Sequence, residues 1–281
     1  MQSARAVITR VVVPTWLGFC FLGCAGSSSG QGTNVFNGRG ICRFSLEDYA
    51  LSPATEGVLN RGVSGLDEIY RIWLGFSLPT NPVVRIRIFG KKEDFESYRK
   101  AKSPKLGQSV GFYSPSLDEV AVLKQDNLVS LAKVTFHEAS HCLLEKYFAD
   151  PPVWLNEGLA DYMSDVQIRR GWPDVSYGQA WLRECQGWLQ NGVLPELNSV
   201  LKTTYNEFHE WDEHKLYTTC WSLVSFLNKT AAANNQTLKK LILHLRRGRY
   251  PPTEVVRAFN GLYPGGLKKL EADWRAWIAK S

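Results

Sequence analysis

Histidine is scarce in this chain, five residues in 281, and methionine is scarcer at two. Charge of one sign is also in short supply. The formal excess is only +6, and Arg5 and Arg10 of it lie in the amino-terminal segment. Apart from Arg246-Arg247-Gly-Arg249 and Lys268-Lys269, the basic residues are scattered. Clusters that short suit a solvated helix end or loop, so no nucleic-acid partner is expected. There are no internal repeats and no long low-complexity tract, which excludes solenoids and extended linker proteins. Long apolar runs are missing as well. The pronounced one, Val11 to Gly23, is too short to span a bilayer and suits the core of a signal peptide.

That amino terminus carries two arginines and no acid before its apolar run. Phe21-Leu-Gly-Cys24-Ala25 follows and resembles a bacterial lipobox with Cys24 as the lipidated residue, although Phe21 stands where leucine is usual. Gly26-Ser-Ser-Ser-Gly-Gln-Gly-Thr then reads as a flexible tether. Residues 1–23 are therefore read as a lipoprotein-type signal peptide, 24–43 as the tether, and 44–281 as one domain. The expected location is the bacterial cell envelope, exported and lipid-anchored. The rival is an ordinary cleaved secretory signal, with Cys24 lost or unmodified. Cys20 lies in the leader, which leaves Cys42, Cys142, Cys185 and Cys220. Four cysteines in an oxidising compartment allow three pairings, and the sequence does not choose among them.

What the chain does contain is Lys133-Val-Thr-Phe-His137-Glu138-Ala-Ser-His141-Cys-Leu-Leu-Glu145. It reads His-Glu-x-x-His inside an apolar helical pattern. Residues four apart share a helix face, so His137 and His141 can present two imidazoles to one ion, with Glu138 beside the first. With five histidines, chance produces this pattern about once in a hundred such sequences. The next segment raises its weight: Pro151-Pro-Val-Trp-Leu-Asn-Glu157-Gly-Leu-Ala-Asp161-Tyr162. A catalytic zinc takes three protein ligands and keeps one open position. Glu157 is the candidate third ligand, opening a second helix after the Pro151-Pro152 break. Asp161, one turn further on the same face, can accept the free imidazole N–H of a liganding histidine. Cys142 is read as a small packing residue, not a ligand.

Together, His-Glu-x-x-His and Asn-Glu-Gly-x-Ala-Asp resemble the gluzincin metallopeptidases. Trp154-Leu-Asn-Glu157-Gly-Leu-Ala160 is similar to the corresponding segment of the thermolysin-like and M1-type aminopeptidases. Fifteen residues separate His141 from Glu157, fewer than those two families have. The better match is an uncharacterised bacterial domain of the same peptidase clan, found in secreted proteins and lipoproteins, with similarity from about Val84 to Trp277. The resemblance implies an α+β, zincin-like fold: a small mixed β-sheet lobe, then a mainly helical lobe, with Zn2+ between them. It implies a zinc-dependent peptidase acting on a peptide or protein substrate, with water activated at the metal and Glu138 as general base. Gluzincins add an oxyanion donor from the helical lobe. The segment from His214 to Phe226 resembles the related family's tyrosine-bearing helix, which makes Tyr217 the candidate and His214 the alternative. The rival class is a catalytically inactive, zinc-stabilised binding or envelope-assembly module, motivated by the tether, the tryptophan-rich second half and the short His141–Glu157 spacing.

Around these motifs, 44–78 reads as helical, with Leu59, Val63, Leu66, Ile69, Tyr70 and Trp73 at helical spacing. Val83–Phe89 alternates as a half-buried strand, Lys91–Ala101 reads as a short helix, and Val110–Pro115 and Glu119–Lys124 as two strands joined by the turn Pro115–Asp118. Either of those two strands can be the edge that borders a zincin cleft. From Asn127 the pattern is helical almost to the end: the two motif helices, then Gln179–Gln190, Tyr217–Lys229, Thr237–Arg246 and Leu267–Ala279. The later tryptophans are expected to form the core and rim of the helical lobe. His209 is read as an ordinary histidine, and His244, amid leucines, as packed.

Overall fold

The structure is a computed structural model that describes residues 40–72, 75, 82–104, 106–148, 150–169, 172–175, 178–208, 212–229, 236–246 and 251–281. The leader, Cys20, the lipobox Cys24 and most of the tether lie outside the described residues, as do Trp73, His209 and Trp211. Among the described residues no helix is long and apolar enough to cross a membrane.

Four strands form one mixed sheet: β1 (Cys42–Glu47), β2 (Val84–Phe89), β3 (Gly111–Ser114) and β4 (Glu119–Leu123), in the order β1-β2-β4-β3. β1, β2 and β4 run parallel, and β3 pairs antiparallel with β4 at an edge. β3 and β4 turn at Pro115–Asp118, where Asp118 adopts a left-handed backbone (φ 47°) and its N–H reaches the Pro115 carbonyl. β1 corrects the reading of 44–78 as wholly helical and begins within the stretch assigned to the tether. Cys42 at its start is buried, and the strand alternates weakly because most of its later residues are solvated. The helix of that stretch, α1 (Pro53–Ile72), starts after Ser52, whose hydroxyl accepts from the Thr55 N–H at 3.1 Å, a side-chain N-cap.

One sheet face packs on α3 (Leu128–Glu145). Leu131 through Leu144 are buried on every side of this helix except at Lys133, the mark of a core helix and not of a surface one. Asn127 caps it, its side-chain oxygen accepting from the Ser130 N–H at 2.9 Å. α1 lies behind α3: a Cβ on Gly62 would stand 1.9 Å from the Phe136 ring, so only glycine permits this approach. On the other sheet face α2 (Lys92–Lys102) closes a smaller core of Phe89, Phe95, Leu106, Phe112 and Ala121.

α3 ends at Glu145, and α4 (Val153–Ser164) packs back across it. α4 in turn meets α8 (Glu213–Lys229) so closely that a Gly158 Cβ would lie 2.7 Å from the Cys220 carbonyl oxygen. The remaining helices α5 (Gln179–Gln190), α6 (Leu197–Lys202), α7 (Tyr205–Phe208), α9 (Thr237–Leu245), α10 (Pro252–Leu262) and α11 (Gly266–Lys280) complete a helical lobe. Trp154, Trp221 and Trp274 are buried in the core, and Trp181, Trp188 and Trp277 pack against it half-buried. The helical run is interrupted by an unexpected hairpin, β5 (Val166–Arg169) with β6 (Trp172–Val175). α10 was also not anticipated. It explains a second correction: His244 is not packed among leucines but stands half-exposed, paired at 2.9 Å with Glu254 of α10.

The four described cysteines are separate free, buried thiols. Burial pushes Cys42, Cys142 and Cys185 up to about 12, so they sit as inert thiols. Cys142 does pack in the core, its sulfur 3.6 Å from Asp118 Oδ1.

Candidate metal centre

α3 carries the sheet and α4 carries the helical lobe, and the candidate ligands lie where these two helices cross. His137 and His141, one turn apart on α3, hold their rings edge to face with centroids 4.9 Å apart. Their Nε2 atoms each stand 3.7 Å from the same oxygen, Glu157 Oε2. Three ligand atoms around a tetrahedral ion at about 2.1 Å are separated by roughly 3.4 Å, close to these two 3.7 Å distances. The short His141–Glu157 spacing thus suffices, because the Pro151-Pro152 break turns the chain straight back onto α3. Among the described residues these three form the one group of side chains able to hold a metal.

Two observations test the fit. Glu157 is 0% exposed, yet neither of its carboxylate oxygens completes a hydrogen bond. Buried oxygens left so are costly unless an ion satisfies them. Second, both imidazoles are held from behind. His137 Nδ1 stands 3.0 Å from Asp161 Oδ1, and His141 Nδ1 stands 2.9 Å from Asn156 Oδ1. An oxygen acceptor at Nδ1 makes it the protonated nitrogen and leaves the Nε2 lone pair for a metal. Asn156 was missed in the sequence. The available signal was arithmetic: two histidine ligands need two partners, and the Asn156-Glu157 pair supplies the second.

Electrostatics agree with a cluster built around a cation. Burial pushes Glu157 up to about 7 against the opposing pull of His137. Burial likewise raises Asp161. Burial holds His141 well below its ordinary value, and the neighbouring His137 acts in the same direction. For His137, burial lowers the pKa, but the Asp161 and Glu157 carboxylates outweigh it and lift it to about 10.

Glu138 faces the sheet side of the centre, fully buried, with neither oxygen completing a hydrogen bond. Burial raises it to about 8, opposed chiefly by the charge of His137. Gly111 makes room for it. A Cβ there would stand 2.6 Å from Val134 Cγ1 and 3.2 Å from Glu138 Oε1. Gly111→Ala is expected to push β3 off α3, lowering stability by about 1–3 kcal/mol. Thermal melts compared with wild type check this, and an unchanged melting temperature would refute the close approach.

Tyr217 and His214 both lie on α8. Tyr217 is buried with its ring edge against Phe208 of α7, centroids 4.9 Å apart. His214 pairs with Glu184 of α5 at 2.6 Å. A second missed residue, Tyr205 of α7, accepts from Asn156 Nδ2 at 2.7 Å and so joins the His141 network directly. A cleft of about 440 Å³ lined by Glu47, Asp48, Arg87, Phe89, Asp94, Ser97 and Tyr98 lies elsewhere, at β1, β2 and α2. Its Arg87 is already paired with Glu47 and Glu119, and it shares no residue with the metal cluster.

These shifts carry a sign. Glu138 and Glu157 titrate ordinarily near 4.5 and in the folded, metal-free protein near 8 and 7, so the fold retains protons that the unfolded chain has released. His137, lifted from 6.5 to about 10, acts in the same sense. Stability is therefore lost as pH rises through this window. After chelation, the melting temperature is expected to fall between pH 6.5 and 8, and metal loading is expected to abolish that dependence. A metal-free protein that gains stability over the same range would contradict the assignment.

Compared with models of known families and with curated proteins, the chain matches none of them. What stands is an α+β protein whose crossing helices bring His137, His141 and Glu157 into one buried, metal-competent cluster.

Proposed function

We propose that this protein is a zinc-dependent peptidase of the gluzincin type, with a zincin-like arrangement of sheet lobe and helical lobe. The observation that carries the reading is the placement of Glu138: a buried, proton-hungry carboxylate one residue from His137 and between the ligand cluster and the edge strand β3. His137, His141 and Glu157 would hold the ion, and zinc bound there would supply Lewis acidity for water and for the scissile carbonyl. Glu138 takes a proton from attacking water and returns it to the leaving amine, a role suited to a carboxylate whose pKa is raised toward neutrality. Asp161 and Asn156 keep the imidazoles in the ligating tautomer. β3 offers an edge for an extended peptide backbone. Tyr217, or His214 in its place, supplies a further donor to the developing oxyanion. The Phe21–Cys24 segment supports a place on the bacterial envelope as a lipid-anchored protein.

One observation favours a second reading. His137, Glu138, His141 and Glu157 are all 0–1% exposed, which suits a zinc-stabilised binding or envelope-assembly module that never admits substrate. The experiment is a mixed peptide library incubated with the zinc-loaded protein and read by mass spectrometry. New termini that appear with zinc and vanish after chelation support the peptidase. Full zinc occupancy with no cleavage favours the binding module.

A further inference from the structure

The ligand His141 is held by Asn156, and Asn156 is held by a residue from a distant part of the chain. Asn156 uses both ends of its amide: Oδ1 faces His141 Nδ1 at 2.9 Å, and Nδ2 donates to Tyr205 Oη at 2.7 Å. An amide has a direction that a carboxylate lacks. Rotated by half a turn, Asn156 would point an NH2 group at Nδ1, which forces the imidazole proton onto Nε2 and removes the lone pair a metal needs. Tyrosine hydroxyl can accept or donate, so the direction depends on what else the hydroxyl sees. Burial does most to raise the Tyr205 pKa, and the carboxylates of Glu157, Asp150 and Glu145 raise it further. A negative charge turns the O–H dipole toward itself and leaves the oxygen lone pairs for Asn156.

We propose that Tyr205 is a positioning residue of the metal centre, fixing the direction of the Asn156 amide and through it the ligating tautomer of His141. The polarity then runs one way, from His141 N–H to the Asn156 oxygen and from the Asn156 N–H to the Tyr205 oxygen, with the Tyr205 hydrogen turned away from Asn156. A ligand on α3 is thereby positioned, through Asn156 of α4, by a residue of α7. This rests on the metal centre but not on turnover, so its failure is separate from failure of the peptidase reading.

The test compares wild type, Tyr205→Phe, Asn156→Asp and the double variant, using full-length protein. Zinc affinity is measured by chelator competition, and the His141 tautomer is read from its ring ¹⁵N shifts in the metal-free protein. Tyr205→Phe is expected to weaken zinc binding about 10–100-fold and to bring the Nε2–H tautomer into view. Asparagine's replacement by aspartate removes the directional choice, so adding Tyr205→Phe to Asn156→Asp should change affinity less than about 3-fold. A purely structural tyrosine would lower the melting temperature equally in both backgrounds, with affinity and tautomer unmoved. That outcome, or an equal loss of affinity in both backgrounds, overturns the proposal.

Discussion

Replacing Glu138 by glutamine is expected to lower peptide hydrolysis by about 10²–10⁴-fold, the usual worth of a positioned general base, while leaving zinc bound. Glutamine keeps the shape of the side chain and loses its capacity to take a proton. The same substitution has a second, opposite consequence. Glu138 is fully buried, and burial raises it to about 8, so its charge is a burden on the metal-free fold. Glu138→Gln is therefore expected to melt no lower than wild type after chelation. Loss of turnover with unchanged or increased stability is a signature that a damaged fold does not produce. If the variant cleaves as fast as wild type, Glu138 is not the base; if neither cleaves, the binding-module reading takes precedence.

The second large effect concerns the ligands and their supports. Structural zinc sites are worth about 10–16 kcal/mol shared among four ligands, roughly 3 kcal/mol each, or two orders of magnitude or more in affinity. Glu157→Ala is expected to weaken zinc binding by at least that much. Asp161→Asn, which disturbs His137 only from behind, is expected to cost about 10–100-fold. Zinc at a hundred times its Kd adds about 2.7 kcal/mol to wild-type stability, roughly 5–10 °C for a domain of this size. Glu157→Ala should lose that increment, and Asp161→Asn should recover it at higher zinc. Calorimetric titration with parallel melts orders the two variants. Equal affinities in wild type and Glu157→Ala would remove Glu157 from the ligand set.

The legible part of this molecule was the part written in local spacing. His137 and His141 at four residues, Glu157 after a proline break and Asp161 one turn later all follow from helix geometry. β2 and the β3–β4 hairpin were legible from strand alternation and turn residues, and α5 from its helical period. Asn156 and Tyr205 were not legible, because their roles arise only where α4 and α7 meet His141 in space. β1 was misread because Phe44 was absorbed into the helical pattern that truly begins at Pro53, and few of the strand's residues are buried enough to alternate. α10 was overlooked although Val255, Ala258 and Phe259 recur at helical spacing behind Pro252. Missing that helix also hid Glu254, the partner that draws His244 to the surface. The four thiols, open to pairing on sequence grounds, are each free and buried: Cys42 on β1, Cys142 on α3, Cys185 on α5 and Cys220 on α8.

X-ray absorption at the zinc edge, on the purified zinc-loaded protein, tests the metal centre most directly. The account predicts a first shell of nitrogen and oxygen alone, at about 2.0–2.1 Å, with the outer-shell scattering of two imidazoles. In Glu157→Ala the zinc signal should be lost or its shell rearranged. A sulfur ligand at about 2.3 Å, or a protein that retains no zinc, would contradict it.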